Sequence, residues 1–199
     1  MCGILGSVII LSNSVVATAQ GQVDYYARLG LSYATALVQD DILQQIEVRQ
    51  SLAPTLALGA ATGIAPRYRA GLEATLTSGG FHSEESGNDT DLGTIRTGTL
   101  LLGLDGPIWQ RFRWRAGAGL ITYWPAEDSG IFLRGGTSRF LAGAGLDYRY
   151  PTHQLWDVMV SLRYDFHRFK TDELVARGFS GSQGVQRVSL SVGLARRGL

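Results

Sequence analysis

The sequence predicts an all-β fold: an eight-stranded antiparallel up-and-down transmembrane β-barrel. Three observations predict it. Eight segments alternate apolar and polar residues with a period of two. Long polar connections alternate with short ones along the chain. The apolar rows place aromatic residues at their ends and aliphatic residues between them. Composition agrees, because charged residues make up only 18% of the chain, aromatics 10%, and there are 26 glycines; few charges with many glycines and aromatics favour strands over helices. Lys+Arg (18) nearly balances Asp+Glu (17), so no net charge points to nucleic acid or an acidic partner. At 199 residues, the length suits one domain.

Residues 1–19, "MCGILGSVIILSNSVVATA", carry no charge, an apolar run from Ile4 to Leu11, and the small-x-small triplet Ala17-Thr18-Ala19. This pattern predicts a secretory signal peptide cleaved before Gln20, leaving 20–199 as a single barrel domain. A transmembrane helix is disfavoured, because Ser12, Asn13 and Ser14 interrupt the run well short of about 20 apolar residues. Cys2 is the only cysteine and lies inside this segment, ahead of the apolar run rather than after it as in a lipoprotein. The mature chain is therefore expected to lack thiol chemistry, disulfides and cysteine metal sites. No later stretch is apolar enough for a membrane helix, so any membrane crossing must use strands.

The first strand, 24–37, sets Tyr25, Ala27, Leu29, Leu31 and Tyr33 opposite Asp24, Tyr26, Arg28, Gly30 and Ser32. The second, 52–64, is a weaker copy. The third, 67–77, sets Tyr68, Ala70, Leu72, Ala74 and Leu76 opposite Arg67, Arg69, Gly71, Glu73 and Thr75. The fourth, 94–105, has Leu100, Leu102 and Leu104 as its apolar face. The fifth, 110–124, carries Phe112, Trp114, Ala116, Ala118, Leu120, Thr122 and Trp124 on one row, and the sixth, 138–150, carries Phe140, Ala142, Ala144, Leu146, Tyr148 and Tyr150. The seventh, 154–169, separates Trp156, Val158, Val160, Leu162, Tyr164 and Phe166 from Asp157, Met159, Ser161, Arg163, Asp165 and His167. A helix would mix these two sets. The eighth, 185–195, alternates Val188, Leu190, Val192 and Leu194 with smaller or polar residues.

Long connections, "VQDDILQQIEVRQS", "SGGFHSEESGNDTD", "PAEDSGIFLRGGT" and "KTDELVARGFSGSQG", follow the odd strands; "APR", "GPIWQ" and "PTHQ" follow the even ones. Aromatic girdles around aliphatic rows distinguish a lipid-facing surface from the inward apolar face of a soluble barrel. The girdle set is Tyr25, Tyr68, Trp114, Trp124, Phe140, Tyr148, Trp156, Tyr164 and Phe166. The opposite face carries a lumen charge network of Arg28, Arg69, Glu73, Arg113, Arg115, Arg139, Asp147, Asp157, Arg163 and Asp165, with Asp24 and Arg149 beside it. Unpaired buried charges cost several kcal/mol each, and side chains suffice to fill an eight-stranded barrel. Mutual pairing across a narrow, plugged lumen is the expected result.

On strand count, loop alternation, girdles and the final strand "VQRVSLSVGLARRGL", the chain resembles the small OmpA/OmpX-like outer-membrane barrels, including the opacity-type surface proteins. The resemblance covers roughly residues 20–199. It implies long external loops, short periplasmic turns, and a place in the bacterial outer membrane among lipids and lipopolysaccharide. It also implies assembly by the outer-membrane insertion machinery and a structural, adhesive or surface role, with an external partner reached through the loops. The chain departs from the family at its last strand, where Arg196 stands in place of the usual aromatic.

No cofactor, metal or catalytic residue is predicted. Some barrels of this size modify lipid A with a Ser/His/acid set. His82-Ser83-Glu84 supplies the residue types, but neighbours on an extended chain point in different directions and cannot meet as nucleophile and base. A solvated loop is the simpler reading. His167 reads as a hydrogen-bonded rim residue near Asp165, and His153 as a turn residue. Asp89-Thr90-Asp91-Leu92-Gly93 lacks the later bidentate Glu of a calcium loop and reads as an acidic external loop. The twin "AGAGL" copies at 116–120 and 142–146 lack the third glycine and following helix of a phosphate loop. They read as mid-strand glycines crowded by lumen arginines and acids. The expected function is a non-enzymatic surface barrel; a narrow ion or solute channel and a lipid A-modifying hydrolase are the alternatives.

Overall fold

The structure, a computed structural model, describes residues 22–40, 46–85, 87–126, 132, 136–153, 155–176, 178 and 181–197. The expected signal segment at 1–19 lies outside the described residues. The strands are β1 (Val23–Ala34), β2 (Val38–Asp40), β3 (Ile46–Gln50), β4 (Ala53–Ala65), β5 (Tyr68–Glu85), β6 (Asn88–Trp109), β7 (Phe112–Pro125), β8 (Thr137–His153), β9 (Trp156–Phe169) and β10 (Gln183–Arg196), with a short helix α1 (Asp172–Ala176) before β10. β1, β4 and β5 to β10 pair antiparallel in order, and β1 pairs with β10 to close an eight-stranded ring. Closure leaves no strand edge in the ring, as a membrane interior requires.

Alternation explains the ring. Tyr25, Leu29, Leu31 and Tyr33 face outward while Tyr26, Arg28 and Ser32 are buried inside. Leu100, Leu102 and Leu104 face outward, with Leu101 turned inward. The outward rows of β7, β8 and β9 carry Trp124, Phe140, Tyr164 and Phe166 toward the end with the longer connections, here the loop end. At the other end, the turn end, Tyr25, Tyr68 and Trp156 are exposed. Trp114 and Tyr148 are half-buried on the same face, and Tyr148 packs on Phe112 at 5.1 Å between ring centroids.

Three connections differ from the expectation. The stretch around His82 to Asp91 is not a loop. β5 and β6 continue through it as a paired hairpin, Glu85 opposite Asn88, with Gly87 at φ 82° in the turn. β6 has 22 residues, about twice the 9–11 that cross a bilayer, so this hairpin stands beyond the membrane. Turn residues and acids suggested a loop, but cross-strand pairing overrides such weak local preferences. The first long connection contains β2 and β3, and β3 pairs with β5 (Val48 opposite Ser83). It thereby covers the edge that the projecting hairpin would otherwise expose. The last connection holds α1, whose Leu174 N–H donates to Thr171 Oγ1 at 3.2 Å, an N-terminal cap.

At the loop end these pieces meet in an apolar core. Leu37, Val48, Phe81, Ile95, Ile121, Tyr123, Phe132, Phe169, Leu174 and Val185 bury one another. Phe132 sits 5.8, 6.1 and 5.7 Å from the rings of Phe81, Tyr123 and Phe169, within the range of favourable aromatic pairs. Each such side chain contributes about 1.5–3 kcal/mol on burial. The barrel mouth is stoppered from above by its own connections.

The lipid-facing assignment has a direct consequence. Leu102→Arg, in the middle of an outward row, is expected to destabilise the barrel by about 2–4 kcal/mol, and Thr94→Arg, on the same row beyond the girdle, by about 0–1. Denaturant titration of barrels folded into lipid vesicles measures both. Equal, small effects would place the apolar rows away from lipid.

Candidate functional site

Beneath the cap, the lumen holds a closed group of charges centred on Glu73. Glu73 projects inward from β5, and its Oε2 accepts hydrogen bonds from Tyr26 Oη at 2.8 Å, Arg28 Nη2 and Arg115 Nη1. Its Oε1 accepts from Arg163 Nη1. Arg115 Nη2 also donates to Asp147 Oδ2 at 2.7 Å, and Ser161 Oγ donates to Asp147 Oδ1 at 2.6 Å while accepting from Arg28 Nη1. Arg163 Nε donates to Asp165 Oδ1 at 2.7 Å. Three arginines thus meet three acids, drawn from β1, β5, β7, β8 and β9. The Tyr26 ring centroid lies 5.2 and 4.8 Å from the guanidinium carbons of Arg28 and Arg115, adding cation–π attraction.

Glycine makes this arrangement fit. A Cβ on Gly59 would land within the Tyr26 ring, and one on Gly143 would collide with the Asp165 carboxylate. The "AGAGL" glycines are crowded for two different reasons, however. Only Gly143 faces a charged side chain. At Gly117 and Gly145 the nearest atoms are the Leu102 and Leu162 carbonyl oxygens, 2.7 and 2.8 Å from the added Cβ, and Gly119 meets that of Leu100. Strand-to-strand backbone approach, not the lumen charges, explains those three.

The remaining space is small. The cavity around Glu73, Arg115 and Asp147 has a volume of about 30 Å³, and a second, between Arg28, Arg163 and Arg187, about 20 Å³. A water needs about 10–15 Å³ on this measure, so the two have room for no more than a few isolated waters. Above them Arg187, buried, donates to Thr97 Oγ1 at 2.9 Å and Gln50 Oε1 at 2.7 Å. Higher still, Tyr123 Oη and His167 Nε2 share a hydrogen bond of 2.6 Å under the apolar cap.

Toward the turn end lies a separate group. Arg69 bonds Asp24, and its Nη2 reaches Asp105 Oδ1 at 2.8 Å; Arg113 Nε reaches the same oxygen at 2.6 Å. Of the predicted lumen charges, the structure therefore brings Arg28, Glu73, Arg115, Asp147, Arg163 and Asp165 together in one cluster, and Arg69 and Arg113 in another. Arg139 and Asp157 belong to neither. Arg139, at the loop end, donates to the Ser138 carbonyl at 2.8 Å, and Asp157, at the turn end, pairs with Arg197 at 3.1 Å. A period-two pattern assigns a face, not a height along the barrel axis. Asp105 and Arg187, both buried, were missed; their lumen-facing parity against Leu104 and Val188 was the signal available.

His167 meets Tyr123 rather than Asp165. His82, Ser83 and Glu84 lie along β5 opposite Asp91, Thr90 and Asp89, and no hydrogen bond joins the three among the described residues. Asp91 Oδ1 accepts the Gly93 N–H at 2.8 Å, which spends it on a local turn. No group of three or more His, Cys, Asp or Glu able to hold a metal occurs among the described residues. The side chain of His153 lies outside what the structure describes.

No family model and no curated protein matches the sequence. Among solved structures, the fold is similar to that of Neisserial surface protein A, with a TM-score of 0.57 at 12% identity over 88% of this chain and 96% of that one. It is also similar to the outer membrane protein AlkL, determined in DMPC lipid bilayers, with a TM-score of 0.53 at 13% identity over 100% and 98% of the two chains. The fold is that of the small outer-membrane β-barrels, eight-stranded and antiparallel.

Removing the central carboxylate tests the network. Glu73→Gln leaves Arg28, Arg115 and Arg163 facing two acids, and is expected to cost about 3–5 kcal/mol of folding stability, as for other broken buried ion groups. Arg139→Gln is expected to stay within about 0.5 kcal/mol. Unfolding midpoints in vesicles compare the two.

Proposed function

We propose that this chain is a non-conducting outer-membrane surface protein that acts through its exposed outer face, as a structural or adhesive element. The observation that carries this reading is the double closure of the lumen. The Glu73 cluster fills the barrel at mid-height and leaves cavities of about 30 and 20 Å³, and the Tyr123–Phe132–Phe169 core stops the outer mouth. A path for hydrated ions needs continuous water, which neither level offers. Meanwhile the β5–β6 hairpin stands clear of the membrane with Glu84, Glu85, Asp89 and Asp91 exposed at its tip. An external partner would meet that hairpin first.

The outward rows support the membrane setting and its lipid partners. Arg96 and Arg168 are exposed on the outward face at the loop end, Arg168 two residues beyond Phe166. Cations just above an aromatic belt suit the phosphates of lipopolysaccharide. On β10, Val188, Leu190, Val192 and Leu194 keep the outward apolar row that the insertion machinery would read. The hydrolase alternative rests on His82 and Ser83, which the strand geometry holds apart. The channel alternative needs the closure to open.

Two measurements test this reading. The purified barrel in a planar bilayer is expected to pass no steady current, and a stable, ion-selective current altered by Arg115→Gln would replace it with the channel. In intact cells, a cysteine-free reporter tag inserted at Gly87 is expected to be accessible from outside. Tag protection until the outer membrane is opened would reverse the orientation.

A further inference from the structure

The two ends of the lumen are built differently. The central cluster matches three arginines with three acids and is closed. The turn-end mouth is open, with contiguous cavities of about 670 and 320 Å³ that share Asp24, Arg69 and Arg113 in their walls. Among the described residues its charges do not balance. Asp24 Oδ2 is shared by Arg69 and by Arg149 Nη1 at 3.4 Å. Asp105 Oδ1 is shared by Arg69 and Arg113. Three arginines therefore draw on two carboxylates, and Arg67, exposed on the rim, adds a further positive charge. Arg197 and Asp157 on the far wall cancel one another.

Two more observations point the same way. Arg149 is 9% exposed, and among the described residues its Nε and Nη2 have no hydrogen-bond acceptor. Arg67 has φ 72° in the turn after Pro66, a position where glycine or asparagine is the relaxed choice. Its carbonyl is held by Arg113 Nη2 at 2.8 Å. An arginine kept in a strained conformation on the rim of a cationic cavity indicates a use for its side chain.

We infer that the turn-end mouth of the barrel, periplasmic in the orientation proposed above, is a binding site for a multivalent oxyanion, one that carries two or more carboxylate or phosphate groups. Guanidinium forks match such groups in paired hydrogen bonds, and a ligand with several of them can engage Arg67, Arg113 and Arg149 together. The low-dielectric walls strengthen that attraction relative to open water. The oxyanion is either a free periplasmic solute or a group borne on the cell-wall polymer, and both offer the same chemistry.

The experiment uses the full barrel in detergent micelles, titrated calorimetrically with pyrophosphate and with citrate. Saturable binding is expected. It should weaken about tenfold or more in Arg67→Gly and in Arg149→Gln, as loss of a charge-assisted pair implies, and remain unchanged in Glu84→Gln at the opposite end. Arg67→Gly should at the same time raise the unfolding midpoint, because glycine relieves the positive φ, so weaker binding cannot be ascribed to a damaged fold. Co-sedimentation with purified peptidoglycan that citrate competes away assigns the polymer as source, and citrate binding without co-sedimentation assigns a free solute. No saturable binding of either anion, or binding unaltered in Arg67→Gly and Arg149→Gln, overturns the inference.

Discussion

The structure depends on one constraint: a narrow barrel in lipid must hide its charges inside, and inside there is almost no water to solvate them. Glu73 answers it. One carboxylate accepts from three arginines and a tyrosine contributed by three strands, so each ion's desolvation cost is offset by several charge-assisted bonds. The cluster also acts across the ring. Arg28 on β1, Arg115 on β7 and Arg163 on β9 reach the same side chain on β5, which couples strands that no backbone hydrogen bond joins. Gly59 and Gly143 follow from it, because a methyl group at either place would push the Tyr26 ring or the Asp165 carboxylate out of the lumen.

Once mid-height is closed, the two ends of the barrel are free to differ. The loop end buries aromatic and aliphatic side chains from four connections around Phe132, and lifts a paired hairpin beyond the membrane. The hairpin stays ordered as a sheet because β3 and β6 flank β5 there. The turn end stays open and arginine-rich. Acids at the hairpin tip and arginines at the turn end give the molecule a polarity along its axis that its near-zero net charge conceals.

Much of the architecture was legible from period-two alternation alone. The rows through Leu100, Leu102 and Leu104, and through Val158, Val160 and Leu162, are outward as predicted, because a strand in lipid must show one face to hydrocarbon. The extended hairpin was not legible. Gly79, Gly80 and Asn88 are turn formers and the glutamates between them are weak strand formers, and only pairing with β3 and with each other holds that stretch in strands. Nor was height legible. Arg139 and Asp157 have the same inward parity as Arg163, yet they sit near opposite ends of the barrel and join other partners.

By itself, then, the sequence determined the strand number, the faces and the kind of charge that had to be inside, because a period-two row in lipid must show one face to hydrocarbon. The tertiary structure decided which charges meet, that Glu73 is the centre, that the loop-end mouth is capped, and that the turn-end mouth gathers arginines among the described residues. Those outcomes depend on shear and strand length, which bring residues distant in sequence to one level of the barrel and which no local pattern encodes.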